Sequence, residues 1–216
     1  MVRIDLAWKI LHKPREAFEE LKDSVDWKEG LTVYGIYSLI GLIFCGAMIK
    51  MTGLQIIPID FGFGGFVNAR SLVFSFAYGI AFLGVFAAMS NFFARRLGGN
   101  GSFNEVLGMF GYAQAIAIVQ GLTGAVMLLA FKFKMLADIG AAIETGVVGV
   151  SDYSWFLIGG LILANIFYIW VGVLRGVSLS VSHEISLIRG IAASFLPLLI
   201  VEVVLFLVLR AMGVVS

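Results

Sequence analysis

Five stretches of this chain are each about twenty residues long, nearly free of charge and closed at their ends by cations, and this pattern decides the medium in which it folds. They cover residues 31–49, 71–93, 106–131, 153–174 and 191–209. The hydrocarbon core of a bilayer is about 30 Å thick, and a helix rising about 1.5 Å per residue crosses it in about twenty residues. Lys50, Arg70, Arg95, Arg96, Lys132, Arg175, Arg189 and Arg210 mark the ends of the stretches. A cation is tolerated among headgroups and costs about 3 kcal/mol or more at the midplane, so this confinement supports the parsing. Composition agrees: 60% of the residues are hydrophobic, 13% are charged and the mean hydropathy is +1.00. Soluble domains carry about 25% charged residues, and a small water-soluble fold has no interior large enough to hide such an excess of apolar side chains. Backbone groups in hydrocarbon must find partners within their own segment, which makes the runs helices. The expected fold is all-α: a polytopic bundle of five transmembrane helices over residues 30–216, preceded by an amphipathic segment over residues 1–29.

Local signals mark where helices begin. Asp26 with Glu29, and Ser102 with Glu105, have the spacing of capping boxes ahead of the first and third spans. Ser151 or Asp152 is placed to cap the fourth. In the N-terminal segment Ile4, Ala7, Trp8 and Leu11 share one helical face, Pro14 suits the first turn of a second helix, and Phe18, Leu21 and Val25 share a face on it. This segment is expected to lie along the membrane interface with Trp8 and Trp27 near the headgroups, or else to pack on the bundle or a partner. Its dense charge leaves no apolar core for a cleaved signal peptide.

Five spans place the termini on opposite sides. With the N-terminus in the cytoplasm, that side holds ten of the fifteen Lys and Arg, so charge counting favours a cytoplasmic N-terminus and an extracytoplasmic C-terminus in a multi-pass protein of the cell membrane. The net charge of +1 offers no footprint for nucleic acid. Cys45 stands alone in an apolar run and reads as a small buried hydrophobe. Two outer loops, residues 52–68 and 135–150, are unusually apolar and are expected in the outer headgroup region or over the bundle's outer mouth.

Within the third span Ala113, Ala117, Gly121 and Ala125 repeat a small residue every fourth position, the pattern by which membrane helices approach closely. An internal packing seam is the first reading and a homodimer interface the second. Polar residues on three different spans share one depth: Gln114 roughly 13 Å along the third, Asn165 roughly 15 Å from the cytoplasmic end of the fourth and Glu202 roughly 16 Å along the fifth, by helix rise. Their similar depth suggests a midplane cluster, either a hydrogen-bonded knot or an ion or proton site of a small transporter or channel. No metal-ligand spacing, phosphate loop, dinucleotide fingerprint or nucleophile motif is present, so no metal, no cofactor and no enzymatic activity are expected.

Three groups of residues carry a resemblance. Pro14 and Phe18, followed by Trp27, form an opening Pro-x-x-x-Phe and Trp. The run Leu97-Gly98-Gly99-Asn100-Gly101-Ser102-Phe103 continues through Glu105 to Gly111-Tyr112-Ala113. Trp170 and Leu174-Arg175-Gly176-Val177 lead to His183, Glu184 and Pro197. In this order, within five spans, the chain resembles the prokaryotic branch of the Yip (Ypt-interacting protein) domain family of five-span integral membrane proteins. The resemblance implies the same orientation that charge counting favours. In eukaryotes the family is associated with Rab-type GTPases and vesicle traffic. Here the eukaryotic Asp-Leu-Tyr-Gly-Pro motif is absent and Ile116 stands where the family often has Pro, so that role is not carried over. The expected function is non-enzymatic: binding a protein partner or organising the membrane through the cytoplasmic face, with Arg95, Arg96, Asn100, Glu105, Arg175, His183 and Glu184 as the interaction residues and the bilayer as the constant surroundings.

Overall fold

The computed structural model describes residues 3–52, 69–116 and 154–211, together with 117–134 apart from 117, 121, 125, 128, 131 and 132. These residues form helices and no strand. Two short helices, α1 (Ile4–His12) and α2 (Pro14–Leu21), are followed by the long α3 (Trp27–Thr52) and α4 (Ala69–Arg96), then α5 (Phe103–Ala113), α6 (Ser154–His183) and α7 (Leu187–Ala211). Among the described residues, four segments are long and apolar enough to cross a membrane: Phe76–Arg96, Phe103–Gly124, Ile158–His183 and Leu187–Val208. The first expected span, 31–49, falls inside α3, where the side chains at 42 and 44–50 lie outside the described residues. So do the apolar outer loops over 53–68 and 135–150.

Chain contacts divide the molecule into two units. The first comprises residues 1–35, 78–115 and 170–216, and so gathers α1, α2, the start of α3, the end of α4, α5, the end of α6 and α7. Its core includes Tyr34, Leu83, Phe86, Ala87, Val106, Phe110, Leu179 and Ala193. The second unit comprises 36–77 and 116–169. Within it Gly159 and Gly160 face the methyl end of Met127, with room for a Cβ at 3.7 and 3.9 Å.

Glycine sets the closest helix contacts of the first unit. The start of α3 lies against α5 so tightly that a Cβ on Gly30 would stand 2.4 Å from the Gly108 backbone, one on Gly111 would stand well under 3.0 Å from the Gly30 backbone, and one on Gly108 would stand 2.7 Å from Asp26 O. At the α6–α7 hairpin, a Cβ on Gly176 would stand 2.7 Å from Ile191 Cα, and Gly190 packs on the Gly176 carbonyl. Without lipid-driven attraction between helices, such backbone approach supplies dispersion and Cα–H···O contacts. Of the seam expected from sequence, Ala113 is fully buried, while the side chains of 117, 121 and 125 lie outside the described residues.

Two features differ from the sequence expectation. The helix of the fourth expected span, α6, does not stop near residue 174 but continues to His183, leaving only 184–186 between α6 and α7. The serines that suggest a loop there are accommodated in the helix: Ser178 Oγ donates to Arg175 O at 2.7 Å and Ser182 Oγ to Leu179 O at 3.5 Å. On α1 the buried stripe is Leu6, Ala7 and Ile10, whereas Trp8 is 70% exposed, so the face that packs is rotated away from Trp8.

Candidate functional site

The site forms at the end of the first unit where α1, α2, the α4–α5 turn and the α6–α7 loop come together. Each element reaches it through a local motif. After Arg96, Gly98 takes φ +96°, Gly98 N donates to Arg95 O at 3.1 Å and Gly99 N to Ala94 O at 3.0 Å. This is a Schellman ending, which requires a left-handed residue at Gly98. Three residues after Gly99, Ser102 caps α5, accepting from Glu105 N at 3.2 Å while the Glu105 carboxylate accepts from Ser102 N at 3.0 Å. The capping box expected from sequence is present in full.

α6 ends the same way with a less accommodating residue. Glu184 N donates to Val181 O at 3.4 Å and Ile185 N to Ser180 O at 3.2 Å, with Glu184 at φ +56°. A non-glycine residue in this region costs about 1 kcal/mol or more. The Glu184 carboxylate accepts from Lys22 Nζ of the N-terminal segment at 2.5 Å, but its side chain is 64% exposed. An exposed pair of this kind contributes little to stability.

The turn is fastened to both neighbours. His183 is 1% exposed, and its Nδ1 accepts from Gly101 N at 3.0 Å, while Asn100 N donates to His183 O at 3.4 Å. Arg95 Nη2 donates to Gly101 O at 3.2 Å and Arg189 Nη1 to Leu97 O at 3.3 Å. The glycines are needed for this fit: a Cβ on Gly99 would stand 2.6 Å from His183 Cβ, and one on Gly101 would stand 2.5 Å from Ser182 O.

The N-terminal helices are fastened by a third network. Arg3 N donates to the hydroxyl of buried Tyr112 at 3.1 Å, and that hydroxyl donates to Glu29 Oε1 at 2.5 Å. Glu29 N donates to Asp26 Oδ1 at 2.7 Å, so the expected first half of that capping box holds while the Glu29 carboxylate is directed to Tyr112. Lys9 bridges to Glu20 and Glu16, joining α1 to α2. Pro14 is in the first turn of α2, and Phe18, Leu21 and Val25 are buried as their spacing predicts.

Among the residues singled out from sequence, Arg95, Asn100, Glu105, His183 and Glu184 are all in this region. Arg96 is exposed and lies 5.2 Å over the Phe92 ring. Arg175 is different: it is 8% exposed, with its guanidinium 4.6 Å from the Phe86 ring and 5.6 Å from Phe110. It supports the unit from within by cation–π contact and presents nothing to the surface. Sequence reasoning did not single out Lys22, Glu29, Tyr112 or Arg189 as parts of the site. Tyr112 stood only in a motif of resemblance, and no spacing rule links a residue at 112 to one at 29. Of the polar residues expected within spans, Gln114 is half-buried and Glu202 exposed in the first unit, and Asn165 is exposed in the second. The Gln114 and Ala115 amides bond to Gly111 O and Tyr112 O, a tightening of the helix ladder at this polar residue. Among the described residues no group of three His, Cys, Asp or Glu is arranged to hold a metal ion.

The exposed pair gives a pH prediction. The hydrogen bond from Lys22 holds the Glu184 carboxyl below its ordinary value of 4.5. A depressed carboxyl stabilises the fold above its ordinary value and loses that contribution as pH falls through the lowered one. The Lys22–Glu184 link should therefore persist down to pH 4.5 and release only below it, read as a chemical-shift titration of the Glu184 carboxyl carbon. A midpoint at or above 4.5 would show that the pair does not hold in solution.

A family model described as the Yip1 domain matches residues 8–209, from α1 to near the end of α7. No curated protein and no solved structure matches the chain. The matched stretch contains all but the first residues of α1 and the last of α7, and with it every element of the fastened end, so the chain belongs to the Yip1 domain family of membrane proteins.

Proposed function

We propose that this protein crosses the cell membrane five times with its N-terminus in the cytoplasm, and that it works without chemistry of its own, by docking a protein partner on the fastened end of its first unit. The observation that carries the reading is Glu184. It occupies a strained left-handed position, its ion pair is too exposed to offset that strain, and its carboxylate stands on a surface whose glycine turn, loop and N-terminal helices are bonded to one another. A rigid, charged platform suits recognition, because little ordering is required when a partner binds. Ile188 is 81% exposed and Trp8 70% exposed. Trp8 and Trp27, 40% exposed, fit the headgroup level of an N-terminal segment whose other face packs inward. The bias of Lys and Arg toward this side supports the orientation.

Photoreactive residues placed at Trp8 and Ile188 in native membranes test the reading. The expected product is a discrete protein adduct from at least one position, reduced at least tenfold when Glu184 is changed to Lys. Adducts with lipid alone, or a protein adduct indifferent to Glu184→Lys, would refute it. Proteoliposomes provide the second arm. Flux of an ion or proton that depends on Glu202 would favour a transporter built on Gln114, Asn165 and Glu202.

A further inference from the structure

We propose that His183 is an acid-sensitive latch: its neutral ring fastens the 97–101 turn to the end of α6, and a proton on Nδ1 releases the turn. The latch goes beyond the docking reading and does not depend on what docks.

The Gly101 amide is a donor, so the ring nitrogen that meets it must be an acceptor. Nδ1 is therefore unprotonated, and the neutral ring carries its proton on Nε2. Nε2 is buried with no hydrogen-bond partner among the described residues. A second proton would set Nδ1–H against Gly101 N–H, two donors 3.0 Å apart, and would leave both ring N–H groups buried and unpaired. The ring has no room to turn aside. A Cβ on Gly99 would stand 2.6 Å from both His183 Cβ and His183 Nδ1, and one on Gly101 would stand 3.1 Å from Cδ2, so turn backbone lies along the ring on two sides. The turn is the element free to yield, since it is short and lies outside the helices.

The charged groups around the ring come from every element that meets here. Arg95 at the end of α4 and Glu105 in α5 act on it electrostatically. Arg189 at the start of α7 bonds Leu97 O, and Glu184, paired with Lys22, follows His183 in the chain. Arg95 and Arg189 are fastened to the turn itself, to Gly101 O and Leu97 O, so movement of the turn breaks their bonds as well. One proton thus loosens the connection between the α4–α5 turn and the α6–α7 loop, and with it the platform on which Glu184 stands.

Amide hydrogen exchange of the full chain in detergent micelles, corrected for the intrinsic pH dependence of exchange, tests the latch. Protection of the amides at 99–102 should fall at least tenfold between pH 8 and pH 5 along a one-proton titration. His183→Asn offers a non-titrating acceptor in place of Nδ1 and should keep its protection at both pH values. Unchanged protection in the wild type, or the same acid opening in His183→Asn, would overturn the proposal. Should that variant fail to fold, nitrogen-15 labelling of the histidines in the wild type decides, with His12→Gln used to assign the ring. The proposal requires Nδ1 to be the bare nitrogen at pH 8 and the exchange to accelerate as the His183 imidazolium appears. A ring already doubly protonated at pH 8, or one that titrates with no change in exchange, would overturn it.

Discussion

Replacing Gly111 with alanine is expected to destabilise the folded protein by about 3 kcal/mol or more, at or beyond the upper end of ordinary overpacking. The added Cβ would meet the carbonyl, carbonyl carbon and Cα of Gly30, and both partners are helical backbone with no rotamer to change. Relief requires α3 and α5 to move apart, which also separates Gly108 from the Asp26 carbonyl and strains the cap at the start of α3. Gly84→Ala provides the control: no neighbouring atom lies within 4 Å of its Cβ position, so its stability should stay within about 0.5 kcal/mol of the wild type. Thermal unfolding of both variants in the same detergent checks the contrast. If the two unfold alike, the α3–α5 contact is not the close one described.

Tyr112→Phe is expected to cost about 1–3 kcal/mol, although it preserves the packing of the ring. The lost hydroxyl is donor to Glu29 Oε1 and acceptor from Arg3 N. Its removal leaves a half-buried carboxylate and a backbone amide each short of a partner. Two segments far apart in the chain depend on it, since Tyr112 is 109 residues from Arg3 and 83 from Glu29. The local signature is release of the N-terminal helices, measured as faster proteolytic cleavage in residues 3–26 at temperatures well below global unfolding. Arg3 keeps a second tie through its guanidinium to Ser24 Oγ at 2.6 Å, so loosening should be graded and not complete. Cleavage at the wild-type rate would show that the hydroxyl bridge does not hold this segment.

These predictions rest on contacts of very different legibility. The Ser102–Glu105 box and Pro14 at the head of α2 could be read directly, because a helix start is a local arrangement of a few consecutive residues. The end of α6 could not. A serine-rich stretch after Arg175 reads as polar loop, and only its packing beside α7, with each hydroxyl bonded to a carbonyl, keeps it helical. The α1 face was legible as amphipathic but not in its exact orientation: Leu6 and Ile10 are inside and Trp8 is outside. The four-residue stripe of small side chains in the third span was conspicuous, yet the tightest contact lies at Gly108 and Gly111, just ahead of it. Nothing in the pattern alone says that Gly30 is opposite.

The sequence by itself determined the medium, the helical class and the family. Hydrocarbon gives a backbone amide no partner except its own helix, so length and hydropathy suffice for that conclusion. Tertiary structure decided what each polar residue does. Arg175 and Arg95 look alike as cations at span ends, yet one is enclosed by two aromatic rings and the other holds a turn. His183 and Gly101, 82 residues apart, form a donor–acceptor pair that no local pattern encodes. The physical reason is one of range: helix formation is settled within four residues, whereas the partner of a buried side chain is settled by whichever helix lies across from it.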